Sequence, residues 1–323
     1  MFRKYYIVCP TTTATGGTEL LHQLCYHLTK LGVENYIYYL GEYEGSPVKR
    51  SFENYNVNIA NSIDDSCENM LIVPETKMDV LYGYSKITKA VWWLSVDNYP
   101  GANKIKKTIL HTLYRKLKDF KNSIFDKKWK HFVQSEYAKQ YLINKRKIGK
   151  ENIFYLSDYL NNTFITTARS KVLVRDNNIL YNPKKGFEFT KLLMDALPNA
   201  NWIPLVNFTA DEMKMVMLRS KVYIDFGNHP GKDRIPREAA ICGCCIITGL
   251  RGAAKNDIDI PIPSKYKFED TQKNILRIKN CILECMLKFT ECSEDFTEYR
   301  EKINNEESIF VSDIKENLLG VRA

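Results

Sequence analysis

Short apolar runs alternate with small-residue loops and helix-period segments, and the alternation occurs twice along the chain. Residues 5–9 (Tyr5 to Cys9) have strand character, and Pro10 to Thr18 form a loop of small residues containing Gly16 and Gly17. Leu20, Leu21, Leu24, Cys25, Leu28 and Leu31 then recur at helical spacing until Gly32, and residues 33–40 are the next strand. Such a strand–loop–helix–strand unit builds a parallel sheet, because parallel strands need a crossover long enough to hold a helix. Further strands are expected at 70–73, 90–94 and 131–133. After a polar stretch at 161–170 the pattern resumes: strands at 178–181, 202–206, 222–226 and 244–248, helices at 187–197 and 209–220, and a helix starting over 237–242. From about Thr271 the chain reads as helical and polar. The expectation is an α/β protein of two doubly wound, Rossmann-like domains, 1–160 and 161–300, facing across a cleft, with a terminal helix at 301–323. Ligands of such sheets bind at the carboxyl ends of the strands.

Apolar residues are 44% of the 323 and charged residues 26%, a mix that can bury a core and excludes disordered, collagen-like and coiled-coil chains. The nine cysteines are odd in number and far too sparse for a disulfide scaffold. The first apolar run stops at Pro10, too soon for a signal-peptide core, so the thiols read as reduced and the protein as cytoplasmic. No apolar run approaches the roughly 18 residues of a membrane span. The net charge of +9 has a single source. Residues 104–150 hold fifteen Lys and Arg against three acids, an excess of twelve, so the rest of the chain is slightly acidic. Within that segment Ile105, Ile109, Leu110, Leu113, Leu117 and Phe120 recur at helical spacing. A basic amphipathic helix can lie on an anionic membrane surface, each basic residue adding about 1 kcal/mol; a solvated helix is the plainer alternative. No zinc-finger spacing or RNA-recognition signature accompanies the charge, so a nucleic-acid partner is not expected.

Four segments carry chemistry. Gly16, Gly17 and Thr18 stand at a strand-to-helix turn, where a backbone can approach a ligand and free amides favour an anion; a simple tight turn is the alternative. Asn182, Lys184 and Lys185, before Gly186, leave a strand for a helix, and two lysines there can hold a diphosphate or merely be solvated. The stretch 222–249 is the richest, packing Asp225, Gly227, His229, Gly231, Asp233, Arg234, Arg237 and Glu238 into one crossover. Pro236 is expected at the first helical position, and Glu238 close to the positive helix end, where it can accept hydrogen bonds from ribose hydroxyls. His229 can equally be structural. Asp97, closing a strand before Asn98 and Pro100, can orient or deprotonate a hydroxyl, or cap a turn. Cys242, Cys244 and Cys245 match no zinc spacing and read as buried small residues. No metal and no cofactor are expected.

Taken together, the Gly16–Gly17 loop, the Lys184-Lys185-Gly186 turn, and Pro236-Arg-Glu238-Ala-Ala-Ile-Cys-Gly243 before Cys-Cys-Ile-Ile-Thr resemble the nucleotide-sugar glycosyltransferases of the GT-B fold, in particular the bacterial group 1 glycosyl transferases of surface polysaccharides. The segment Ser135 to Leu142 also resembles the family near the end of its first domain. The resemblance implies a metal-independent enzyme moving a sugar from a nucleotide-diphosphate donor to a hydroxyl of a glycan or lipid-linked acceptor, at the inner membrane face if the basic segment binds lipid. Lys185 with Lys184 would contact the donor diphosphate and Glu238 the ribose. Asn182, Gly231, Arg234 and Arg237 would complete the donor site, and Gly16, Gly17 and Thr18 would close against the phosphates or acceptor. Asp97, His229 and Asp233 are the candidates for the chemistry. Retaining members of the family carry an acid eight positions before the glutamate, where this chain has Pro230. A non-catalytic nucleotide- or carbohydrate-binding protein on the same fold is the rival reading.

Overall fold

The computed structural model describes residues 1–11, 14–99, 117, 126–161, 164–166 and 174–321. The expected amphipathic helix, with Ile105, Ile109, Leu110, Leu113, Phe120 and its lysines, lies outside the described residues apart from Leu117. The chain divides into two compact units, Met1–Asp158 with Ser308–Ala323, and Tyr159–Glu307.

In the first unit six parallel strands, β1 (Lys4–Pro10), β2 (Asn35–Leu40), β3 (Asn69–Pro74), β4 (Thr88–Trp93), β5 (Lys130–Val133) and β6 (Ile153–Tyr155), lie in the order β2-β1-β3-β4-β5-β6. Residues 5–9 of β1 and all of β3 are buried, as a parallel sheet covered on both faces requires. The short β6, absent from the sequence reading, is a half-buried edge with no long apolar run to announce it. Helix α1 (Gly16–Lys30) follows β1 and begins earlier than expected, so Gly16 and Gly17 are helical residues. The cause is local: the Thr15 hydroxyl accepts from Thr18 N while the Thr18 hydroxyl accepts from Thr15 N, a reciprocal cap that satisfies two amides at the helix start.

The second unit holds β7 (Asp176–Tyr181), β8 (Asn201–Pro204), β9 (Ser220–Asp225) and β10 (Cys245–Thr248), all parallel, in the order β10-β9-β7-β8. Ile179, Leu180, Val222, Ile224, Ile246 and Ile247 form its central layer, packed with Ile278 and Ile282. Cys242, Cys244 and Cys245 are buried in this core, and burial pushes the Cys244 thiol up to about 12. Helices α2 (Glu136–Tyr141), in the first unit, and α3 (Phe187–Ala196) and α4 (Ala210–Leu218), in the second, follow β5, β7 and β8. Helix α5 (Arg234–Ile241), after β9, starts two residues before Pro236, the expected first helical position. Pro236 is therefore its third residue and Glu238 its fifth, away from the first turn. A proline is tolerated there because the first-turn amides need no partner within the helix.

Helices α6 (Ile275–Leu287), α7 (Phe289–Glu294) and α8 (Thr297–Asp313) complete the chain. The terminal stretch from Ser308 is built into the first unit. Asp313 accepts from Ser157 N at 2.8 Å, Asn317 donates to Tyr155 O at 2.9 Å, and the Phe310 ring stacks on Trp92. Among the described residues no helix is long and apolar enough to cross a membrane. Lys127, Lys128, Lys145, Lys147 and Lys150 are exposed, but Arg146 is not part of that solvent-facing charge. It is buried on the carboxylate of Asp126 and over the Tyr99 ring, because a buried guanidinium requires a paired anion.

Candidate functional site

In the second unit β7 and β9 are hydrogen-bonded neighbours, with Tyr181 opposite Ile224, so the loops that leave their carboxyl ends meet. Asn182 Oδ1 accepts from Lys184 N at 3.0 Å and shapes the turn. Gly186 has φ +61°, and a Cβ there would lie 2.5 Å from the Phe226 backbone. A Cβ on Gly227 would lie 2.3 Å from Lys185 Cβ. Glycine at both positions is what allows the two backbones to touch. The contact carries Lys185 across the end of β9, where its Nζ donates to Asp233 Oδ2 at 2.5 Å. Lys184 is exposed, and the Lys185 side chain is one-third exposed.

Asp225 ends β9, accepting from Gly227 N at 2.9 Å and from the Tyr223 hydroxyl at 2.8 Å. Burial, and after it the Asp225 carboxylate, holds the Tyr223 phenol well above its ordinary range. His229 is fully buried, its ring lying between two carboxylates. Nε2 is 3.6 Å from Asp225 Oδ1, and Nδ1 is 3.3 Å from Asp233 Oδ2. Neither ring nitrogen has a hydrogen-bond partner among the described residues. The backbone of His229 is clamped by the segment after β10: Ala253 N donates to His229 O at 2.8 Å, and Gly252, at φ +59°, leaves no room for a Cβ against that carbonyl.

The rest of the loop is anchored from below. Arg237, 2% exposed at its side chain, donates to Glu306 at 2.7 Å and to the carbonyls of Lys232 and Asp233. Lys232 pairs with the other Glu306 oxygen at 2.9 Å. Arg237, expected from the sequence among the donor contacts, thus braces the loop from inside, and Gly231 is buried with it. Arg234 is exposed and donates to Glu238 Oε1 at 2.9 Å, so the carboxylate expected to meet a ribose is held by a neighbour one turn away.

Asp225, His229 and Asp233 offer ligand atoms within 4.8 Å of one another. The two ring nitrogens face different carboxylates, however, and Asp233 is already paired with Lys185. The three side chains therefore do not converge on one point as a metal centre demands. They lie at the end of β9 and in the loop after it, where no helical period applies, so their spacing in the sequence did not announce the meeting.

Gly16, Gly17, Thr18 and Asp97 belong to the first unit. Gly17 faces Leu94, where a Cβ would make an ordinary 3.7 Å contact, and the Thr18 hydroxyl is engaged in the helix cap. Asp97 is half-buried in a single helical turn after β4 and accepts from the Tyr137 hydroxyl at 3.2 Å. The same carboxyl edge holds an acid that sequence reasoning missed. Glu75, directly after β3, is buried and accepts from Leu94 N at 3.0 Å; burial pushes its carboxyl up to about 7. Its only mark in the sequence is an acid immediately following an apolar strand.

No protein-family model matches the chain, and no curated protein matches it. Solved structures do. A glycosyltransferase from Rickettsia africae is 14% identical, covering 98% of this chain and 97% of its own, with a TM-score of 0.65. HepE of Anabaena, in complex with UDP and glucose, is 11% identical over 99% of this chain and 100% of its own, with a TM-score of 0.66. Sucrose-phosphate synthase from Thermosynechococcus elongatus is 12% identical over 98% of both chains, with a TM-score of 0.65. The two parallel sheets with their flanking helices are the α/β fold of the GT-B glycosyltransferases.

Proposed function

We propose that the chain transfers a sugar from a nucleoside-diphosphate donor to a hydroxyl acceptor, with the donor seated in the second unit. The supporting observation is the contact of the Lys184–Lys185–Gly186 turn with the loop 227–233, which puts an accessible ammonium at the carboxyl ends of β7 and β9. This is where α/β sheets take ligands, and structures of the same fold carry UDP and UDP-glucose. Lys184 and Lys185 supply the positive charge that stabilises a departing diphosphate, which is the basis for reading the transfer as metal-independent. Arg234 and Glu238 border the nucleoside end, with Glu238 exchanging its arginine for the ribose. On the first unit Asp97 is the acid offered to the acceptor hydroxyl, and the acceptor is read as a glycan or lipid-linked sugar in surface polysaccharide synthesis. The exposed lysines of the basic segment suit attraction to an anionic membrane from the cytoplasmic side.

The test is turnover of a panel of labelled UDP-, ADP- and GDP-sugars, with binding read by thermal shift and EDTA as a separate arm. Lys185→Met should weaken donor binding about tenfold or more, the loss of one charge-assisted hydrogen bond, without lowering the melting temperature of the free protein. Binding without turnover across glycan and lipid-linked acceptors would favour the binding-protein alternative. Loss of activity in EDTA would refute metal independence.

A further inference from the structure

We propose that His229 is a positioning residue that couples donor binding to proton uptake: when a nucleoside diphosphate draws the Lys185 ammonium from Asp233, the buried imidazole takes one proton from solvent and replaces the lysine as the cation beside Asp233. The inference rests on the donor-site reading above and adds to it a role for a side chain that touches no ligand.

The argument starts from unmet bonding capacity. The His229 ring is wholly buried, and its two nitrogens lie 3.3 and 3.6 Å from different carboxylates without a hydrogen bond to either. A neutral imidazole carries one N–H and can donate to one of them; only an imidazolium donates to both. A buried polar atom left unpaired is expensive, so the arrangement is poised for the second proton.

Lys185 decides when that proton is worth binding. With its ammonium on Asp233, Lys185 offsets one of the two carboxylates that face the ring. Once the lysine turns to a phosphate, both carboxylates face the ring without that cation, and nearby negative charge favours an imidazolium. Lys185 is the member of the cluster that an arriving anion reaches, being one-third exposed, while the Asp233 side chain is 16% exposed and His229 not at all. The other groups around the ring are committed. From β9, Tyr223 and the Gly227 amide donate to Asp225. From α5, Glu238 holds Arg234, and Arg237 with Lys232 holds Glu306. The segment after β10 meets His229 through the backbone of Gly252 and Ala253.

The experiment is calorimetric titration of the full chain with UDP-glucose, in pairs of buffers of different ionisation heat, between about pH 6 and 8.5. The diphosphate diester of this probe does not titrate in that window, so any proton counted belongs to the protein. Wild type should take up a fraction of a proton per nucleotide bound, and His229→Gln none. Asp233→Asn removes both the resting counterion of Lys185 and the carboxylate His229 would serve; it should bind UDP-glucose several-fold more tightly, without proton uptake. Binding by wild type with no proton change at any pH overturns the coupling while leaving the donor site intact, as does weaker binding by Asp233→Asn. Failure of wild type to bind UDP-, ADP- or GDP-glucose would instead defeat the donor-site reading. If His229→Gln does not fold, wild type and Asp233→Asn decide the matter.

Discussion

Glu75→Gln should change the pH dependence of folding in a way that no other single exchange in the first unit reproduces. The Glu75 carboxyl is fully buried, and burial raises it from an ordinary 4.5 to about 7, against the smaller opposing effect of the Leu94 amide and its neighbours. At about 1.4 kcal/mol for each tenfold change in acidity, the ionised folded form is disfavoured by about 3 kcal/mol. The folded state holds its proton where the unfolded chain has released it. Stability from this group is therefore complete below about pH 4.5 and lost as the pH rises towards 7. His27 and His131, both lowered to about 4 mainly by burial, act with the opposite sign, adding stability as the pH rises from 4 towards 6.5. The wild-type profile sums these effects, so the informative quantity is its difference from Glu75→Gln. Glutamine keeps an acceptor for Leu94 N, and any mismatch at its amide group is a constant offset independent of pH. Trp92, Trp93 and Trp129 lie in the first unit and Trp202 in the second, so a Trp202→Phe background reports the first unit by fluorescence in urea. Between about pH 5 and 8 the variant should gain roughly 3 kcal/mol relative to wild type. Parallel profiles would show that the buried carboxyl titrates normally and that the reasoning fails.

Two further predictions follow from the second unit. Arg237→Met leaves Glu306 with Lys232 alone inside the protein and should lower the stability of that unit by about 3 kcal/mol, read from Trp202 fluorescence in urea; an unchanged midpoint would mean the buried pair contributes nothing. Gly186→Ala combines a left-handed backbone with a Cβ only 2.5 Å from the Phe226 backbone, so it should cost more than about 1 kcal/mol and abolish the thermal response to UDP-glucose. Gly17→Ala, with only a 3.7 Å contact inside α1, should be neutral or slightly stabilising and serves as its control.

Much of the site could be read from residue order. Lys184, Lys185 and Gly186 stood out as a strand leading into a helix through lysine and glycine, with a solvated turn as the alternative, and the loop 227–233 because charge and glycine crowd one crossover. Functional assignment within that crossover was less legible. Arg237 and Arg234 are three positions apart with the same charge, yet one is sealed on Glu306 and the other faces solvent beside Glu238. Their separation depends on which face of α5 packs inward, and the helix starts earlier than Pro236 suggested. Glu306 lies too far along the chain for spacing to connect it with either. Glu75 was missed for a related reason: a lone acid after a strand looks like a turn residue until the neighbouring strand covers it.

The order of residues alone determined the class of the protein. Apolar runs of strand length, helix-period segments and glycines between them admit few arrangements other than parallel sheets with crossover helices, because each strand must be paired and covered on both faces and the intervening helices supply that cover. Tertiary structure alone decided which charges are available for chemistry. A charged side chain is free or spent according to partners brought from distant parts of the chain, as Arg146 is spent by Asp126 and Arg237 by Glu306. That choice is made by the energy of taking an ion out of water, which depends on the folded surroundings and not on the neighbouring letters.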